Sequence, residues 1–313
     1  MFHIVIPDDA PAVMGPSRAY QSLLLRTPVA YFDTLPGSEE GLIERIRSAE
    51  VVINIRSSCR FTESVFAQCG QLRLLSLWGR GTDNVDLAAA ARHGVTVTNT
   101  PGVSAISIAE HCLALLLAAA RRIPRTDAEI RQGRWPRGEG VQMHGKMLGI
   151  IGLGAIGRRF AQIGEAIGMR VIAWTMHPNP ALGFTLVPLE QLYRESDVVS
   201  VHLRLSAETR GMIGEREFAM MKPSAIFINT ARGAIVDEAA LLEALLNGRI
   251  AAAGLDVFEV EPLPAGHALT RLPNVVLTAH SAGVTPEALE AGLQMAVDNV
   301  FQFLEGRPEH VVT

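Results

Sequence analysis

Between Ile150 and Thr175 an apolar, strand-like run breaks at a cluster of glycines, passes into helical periodicity and returns to a second strand-like run, "RVIAW". Two strands joined through one helix make a right-handed βαβ unit with parallel strands. The turn reads "GLGAIG", placing Gly152, Gly154 and Gly157 in the G-x-G-x-x-G spacing. Gly152 permits the tight turn, Gly154 lets a pyrophosphate approach the backbone, and Gly157 lets helix and strand pack closely. The amides near Ala155 and Ile156 then face the phosphates at the helix N-terminus. A glycine-rich turn alone is weak evidence, but here strand, turn, helix and second strand fall at the required distances. The segment predicts a dinucleotide site.

The same alternation runs through the chain. Strand candidates in the first third are "FHIVI", "VAYF", "VVINI", "LRLLSL" and "VTVTN", with helix candidates at 38–49 and 86–93 between them. Then come "MLGIIG", "RVIAW", "DVVSVHL", "AIFINTA", "AAAGLDVF" and "NVVLTA". Such alternation implies parallel sheets covered on both faces. About eleven strands exceed what one twisted sheet holds comfortably, so two sheets are expected. One division falls near Pro101-Gly102, before a long helix candidate at 104–122, and the other near His280-Ser281. The closing helix is well punctuated, with Thr285 as N-cap, Pro286 in the first turn, and Gly306 and Pro308 beyond its end. It is expected to pack back on the N-terminal domain. The expected domains are therefore 1–100 with 281–313, a discontinuous substrate domain, and 101–280, a nucleotide-binding domain. The segment "RQGRWPRGEG" reads as an exposed connecting loop.

Composition narrows the function classes. A length of 313 residues with 48% hydrophobic and 19% charged side chains fits a folded chain of about two domains. A formal net charge of −4 gives no electrostatic footprint for nucleic acid. The three cysteines, Cys59, Cys69 and Cys112, match neither C-x-x-C nor a zinc spacing, and no metal-ligand cluster appears. A reducing cytoplasm fits best. The opening "MFHIVIPDDA" lacks a signal-peptide pattern, and the longest apolar run, 112–120, is about half the length that spans a bilayer. No nucleic-acid or membrane partner is expected.

One part of the dinucleotide pattern is missing. The carboxylate that usually meets the adenosine ribose stands about twenty residues past the turn. Thr175 occupies that place, and the next acid is Glu190. No arginine follows Thr175 directly, and Thr175 and His177 can hydrogen-bond either form of the ribose. The cofactor is NAD or NADP.

Three chemically apt residues fall at the ends of predicted strands. "INTARG" carries Arg232, "LDVFEVEP" carries Glu261, and "LTAH" carries His280. Hydride transfer to a carbonyl needs a proton donor for the developing alkoxide, and an anionic substrate needs a cation. Arg232 offers a planar fork suited to a carboxylate. His280 offers an imidazole that can give or take a proton. Glu261 can hold the imidazole in orientation and favour its charged form. His3, His93, His144 and His202 show no partner pattern.

With the glycine turn, these motifs resemble the D-isomer-specific 2-hydroxyacid dehydrogenase family in order and spacing. "GTDNVD", "VSAISIAEH" and "SAETRGMIG" extend the resemblance over nearly the whole chain. The resemblance implies a Rossmann domain inserted in a flavodoxin-like one, and it gives Arg232, Glu261 and His280 the roles just described. It implies that Leu203, Arg204, Thr209, Thr230, Ala231 and Asp256 line the cofactor, with Asp256 toward the carboxamide and Thr209 toward the adenosine. Two positions depart from the family pattern: Thr175 replaces the acid, and Arg204 replaces the proline of "H-x-P-L". Arg204 is then a candidate cation for a 2′-phosphate. On the substrate side, the glycines of "LWGRGTDN" (Gly79, Arg80, Gly81) are suited to offering backbone amides to a carboxylate. "INIRSSCRFT" resembles the phosphoglycerate dehydrogenase segment whose arginine meets a phosphate, which points to Arg56. Glu110 and His111, on the long helix, read as packing or hydrogen-bonding residues. The implied activity joins NAD(P)H to a small 2-keto acid such as glyoxylate, hydroxypyruvate or pyruvate, in a homodimer formed through the nucleotide domain. Phosphoglycerate or phosphonate oxidation, and an NAD(H)-sensing interaction protein, are the alternatives.

Overall fold

A computed structural model of the protein describes residues 2–313. The chain divides into two compact units, residues 2–104 with Val284–Thr313, and Ala105–Gly283.

The first unit holds strands β1 (Ile4–Ile6), β2 (Val29–Tyr31), β3 (Val51–Asn54), β4 (Leu74–Leu77) and β5 (Thr96–Thr98). They form one parallel sheet in the order β2-β1-β3-β4-β5, the flavodoxin-like order. Helices α1 (Arg18–Leu24), α2 (Glu39–Ile46), α3 (Glu63–Gln68) and α4 (Leu87–Arg92) connect them, capped by Ser17, Ser38, Thr62 and Asp86. Both faces are buried, which is why the strands read as continuous apolar runs rather than alternating ones. Val5, Val52, Leu75 and Val97 pack with Leu42, Ile46, Val65 and Phe66 on one face.

The second unit opens with α5 (Ala105–Ala120) and α6 (Ile123–Arg131). Its strands are β6 (Met147–Ile151), β7 (Arg170–Trp174), β8 (Thr185–Leu186), β9 (Val198–Val201), β10 (Ile226–Asn229), β11 (Ala252–Leu255) and β12 (Val275–Leu277). The sheet order is β12-β11-β10-β9-β6-β7-β8, with every pairing parallel. This is the doubly wound Rossmann pattern, in which the chain runs outward from β6 one way and from β9 the other. Helix α7 (Ala155–Ala166) lies with α5 on one face, where Phe160, Cys112 and Leu116 bury against Leu148, Ile150 and Ile228. Helices α8 (Leu189–Glu195), α9 (Glu215–Met220) and α10 (Glu238–Leu246) cover the other, through Tyr193, Phe218 and Leu241. Each fully buried side chain of this kind contributes about 1.5–3 kcal/mol.

Two elements were not expected from the sequence. Strand β8 is only two residues long, too short for a periodic signal. Helix α6 follows a left-handed Arg122 (φ 55) that ends the long helix at Ala120, carries Pro124 in its first turn, and buries none of its residues.

Helix α11 (Pro286–Leu304) returns to the first unit, with Thr285 accepting from the Ala288 amide at 3.3 Å. Leu293, Ala296, Val297 and Val300 complete the second face of its sheet, against Ile4, Ile6, Val51, Ile53 and Leu74. Among the described residues no helix is long and apolar enough to cross a membrane, and no group of three metal-ligating side chains is gathered.

Candidate active site

The glycine turn leaves β6 at the point where the strand order reverses, the place where open α/β sheets bind their ligands. Gly152 has φ 102, a left-handed value, and a Cβ there would lie 2.7 Å from the His202 carbonyl oxygen and 3.0 Å from Leu203 Cδ2. A Cβ on Gly157 would lie 2.0 Å from the Gly152 oxygen. Gly154, the N-cap of α7, has no side-chain capping bond, so no cap competes for the first-turn amides. Narrowed backbone approach and uncapped amides fit a pyrophosphate, and the residues present therefore fit a dinucleotide.

The flanks of the turn come from β7 and β9. The Gly152 amide donates to the Trp174 oxygen at 2.8 Å, one residue before Thr175. After β9, His202 bonds Ser200 Oγ through Nε2 at 2.9 Å and meets the Phe160 ring edge-on. Burial pushes its pKa down to about 3, so the imidazole under the turn stays neutral. Thr209 is buried, donates to the Arg204 oxygen at 2.7 Å and accepts from the Ser206 amide at 2.8 Å, fixing the loop that carries Leu203 and Arg204.

Arg232, Glu261 and His280 follow β10, β11 and β12, three adjacent strands of the same sheet. Thr230 and Ala231 lead into Arg232, and buried Asn229 shapes this turn by accepting from the Ala231 amide at 3.0 Å and donating to the Arg232 oxygen at 3.1 Å. A Cβ on Gly233 would lie 2.0 Å from the Phe258 carbonyl carbon, so only glycine lets the arginine turn rest on the loop after β11. In that loop Glu261 Oε1 accepts from the Phe258 amide at 3.0 Å, while its Oε2 lies 2.7 Å from His280 Nδ1. The two side chains are 34% and 45% exposed, so the pair stabilises the fold little and serves to orient the ring toward solvent.

His280 sits at φ 49, an uncommon conformation for a non-glycine residue. Asp256, 1% exposed, holds it there. Its backbone oxygen accepts from the His280 amide at 2.8 Å, and its carboxylate accepts from the Ser281 and Ala282 amides, each at 2.9 Å, and from Thr278 Oγ1 at 2.6 Å. His111 reaches the same cluster from α5, with Nε2 2.9 Å from Thr278 Oγ1 and 3.6 Å from Asp256 Oδ1. Cys112 lies 3.2 Å from Thr230 Oγ1, and burial pushes its thiol up to about 12, which leaves it inert. Sequence reasoning found Asp256 only through family resemblance and did not find Gly233. The one local signal is a glycine directly after the strand-end arginine.

In the first unit, the loops after β1, β3 and β4 carry the remaining predicted residues. The Arg56 amide donates to Asp8 Oδ2 at 2.9 Å and its guanidinium to the Pro11 oxygen. Asp8 also accepts from the Ile55 amide at 2.9 Å and from Asn54 Nδ2, and burial raises its pKa against these donors. Gly79 (φ 113) donates to Thr100 Oγ1 at 2.7 Å, and the Arg80 oxygen accepts from Asn99 Nδ2 at 2.8 Å. Gly81 completes this loop.

A reversed-order sheet, a phosphate-shaped turn and an acid-steadied histidine on the same sheet edge define a nicotinamide-dependent oxidoreductase. The sequence profile of the D-isomer specific 2-hydroxyacid dehydrogenase NAD binding domain matches residues 113–282. The chain is 43% identical over 285 residues to a glyoxylate reductase of Aeropyrum pernix, covering 87% of this chain and 85% of that one. It is 41% identical over 270 residues to a D-3-phosphoglycerate dehydrogenase of Archaeoglobus fulgidus, covering 84% of this chain and 51% of that one. An acyclic imino acid reductase solved in complex with NADPH and D-Arg superposes with a TM-score of 0.91 at 29% identity, over 99% of this chain and 100% of that one. The protein belongs to the D-isomer-specific 2-hydroxyacid dehydrogenase family. It is an NAD(P)-linked hydroxyacid dehydrogenase.

Proposed function

We propose that the protein reduces a small 2-keto acid, with glyoxylate and hydroxypyruvate as its best substrates, and that His280, Glu261 and Arg232 carry the chemistry. The 2.7 Å pairing of Glu261 with His280 Nδ1 is the observation that supports this most directly. A carboxylate only accepts, so Nδ1 carries a hydrogen and Nε2 becomes the position that exchanges a proton. Arg232 grips the substrate carboxylate through its planar fork. When bound, the cofactor supplies the hydride in reduction and receives it in oxidation. His280 Nε2 gives its proton to the carbonyl oxygen as that oxygen gains negative charge, and Glu261 stabilises the imidazolium before that transfer. In the reverse direction Nε2 takes the hydroxyl proton. Gly152, Gly154, Ala155, Ile156 and Gly157 would hold the cofactor's pyrophosphate, Thr175, Leu203, Arg204 and Thr209 its adenosine, and Thr230, Ala231 and Asp256 its nicotinamide. In the first unit we assign anion recognition to Arg56, Gly79, Arg80 and Gly81.

We further propose a cytoplasmic homodimer. The three free cysteines, all buried, suit a reducing compartment. In the second unit Ile123, Ile130, Trp135 and Val141 are exposed around a helix with no buried residue, a surface that suits a second copy.

The reading is tested by following NADH and NADPH oxidation spectrophotometrically against glyoxylate, hydroxypyruvate, pyruvate and 3-phosphohydroxypyruvate. Turnover strongest with the first two is expected. Cofactor binding without reduction of any of the four would replace the enzyme by a sensor.

A further inference from the structure

We infer that the adenosine end of the site takes a 2′-phosphate, with Arg204 as the cation that recognises it, so that this protein binds NADPH more tightly than NADH. The inference rests on the assignment of the dinucleotide to the Gly152–Gly157 turn.

Three observations carry it. The first is placement. Gly152 is bonded on one side to Trp174 and is met on the other by His202 and Leu203, so Thr175 and Arg204, each the next residue, flank one turn. Strands β7 and β9 are the two neighbours of β6, which sets their ends about 10 Å apart, and an extended arginine side chain covers most of that gap.

The second is an absence in the sequence. A carboxylate at the end of β7 would accept from a ribose 2′-hydroxyl and repel a 2′-phosphate. Thr175 does neither, and residues 175–189 contain no acid at all.

The third is the state of Arg204 itself. It is exposed, and among the described residues its guanidinium makes no hydrogen bond or ion pair. Its backbone is nevertheless fixed, because its oxygen accepts from buried Thr209. Glu208 is held below the usual carboxylate range chiefly by Ser206 Oγ, which donates to it at 2.6 Å, and only least by the charge of Arg204. A guanidinium fork held on an anchored backbone with its N–H donors not bonded to other side chains is the donor that a phosphate dianion selects.

The test is direct binding, by titration calorimetry, of NADPH, NADH, 2′,5′-ADP and 5′-AMP to the wild-type protein and to Arg204→Ala and Thr175→Asp. The expected wild-type preference for NADPH over NADH is about tenfold or more, the scale of one charge-assisted contact. Arg204→Ala is expected to weaken NADPH and 2′,5′-ADP about tenfold more than it weakens NADH and 5′-AMP. Thr175→Asp is expected to weaken NADPH far more than NADH. A wild-type preference for NADH, or an Arg204→Ala effect equal on both cofactors, would overturn the inference while leaving the dinucleotide site intact. Failure of all four ligands to bind would remove the glycine-turn assignment and the inference with it.

Discussion

The two ends of the nucleotide-unit sheet edge are built in opposite ways. Around β6, β7 and β9 the site is shaped by missing atoms: Gly152 and Gly157 bring backbone to within distances that no Cβ tolerates. Around β10, β11 and β12 it is shaped by carboxylates, with Asp256 gathering two amides and a hydroxyl and Glu261 bridging an amide to the histidine. The first construction makes room for a ligand. The second fixes the direction of one side chain. Binding and chemistry are therefore expected to fail separately when each is damaged.

The largest separation is expected from His280→Ala, which should lower kcat by about a hundredfold to ten-thousandfold, the usual range for a general acid–base, without changing cofactor affinity. Near-normal turnover in single-turnover kinetics would remove His280 as proton donor. Arg232→Ala should instead raise KM for the keto acid and lower kcat together. Gly157→Ala should do the converse of His280→Ala. Its Cβ meets a backbone oxygen that has little freedom to move, so cofactor affinity is expected to fall at least about tenfold, with a stability loss of about 1–3 kcal/mol. The pH profile of the remaining activity should be unchanged, and a shifted profile would show that the two ends are not independent.

Asp256→Ala breaks the second construction at its base. Two amides and a hydroxyl lose their acceptor, at about 1–3 kcal/mol for each group left unsatisfied, so thermal stability and kcat should fall together. Asp256→Asn, which keeps one accepting oxygen, should lie between. Equal effects of the two substitutions would show that the carboxylate's charge, rather than its hydrogen bonds, holds the His280 turn.

The smallest effect belongs to the glycine end and is read in stability against pH. His202 is neutral in the folded protein down to about pH 3, whereas in the unfolded chain it gains a proton below its ordinary value. The unfolded state therefore binds more protons throughout that window, and stability falls as pH drops through it. His202→Gln should remove this dependence on pH. Between pH 6.5 and 5 it is expected to lose less stability than the wild-type protein, by up to about 2 kcal/mol, in chemical denaturation. Parallel curves would show that the ring is solvated.

These contrasts also set what the sequence could reveal. The glycine end was legible because its determinants are consecutive: Gly152, Gly154 and Gly157 lie within one turn, and β6 and β7 flank it at fixed spacing. At the other end, Arg232, Glu261 and His280 stand out in the sequence as residue types at strand ends, and the structure joins Glu261 to His280 across 19 residues. What was not legible depends on contacts across strands. Gly233 looks like any turn glycine until Phe258 is packed on it, and Asp256 reads as one more strand-end acid until Ser281 and Ala282 arrive beneath it. Helix α6 has no clear signal in the sequence because its period is short and none of its residues is buried. Arg56 is a similar case: the bond from its guanidinium to the Pro11 carbonyl joins residues 45 apart and has no local signal.

The return of α11 to the first unit has a consequence for how the chain matures at the ribosome. Residues 105–283 emerge as one uninterrupted stretch and hold everything their own sheet needs. The sheet begun by residues 4–98 has one apolar side covered only in part, by Met14, Ala19 and Leu23, until residues 286–304 have been made, because Leu293, Ala296, Val297 and Val300 are the rest of its cover. The unit begun before residues 105–283 is thus completed after them, and the interval between is when chaperones have most to shield.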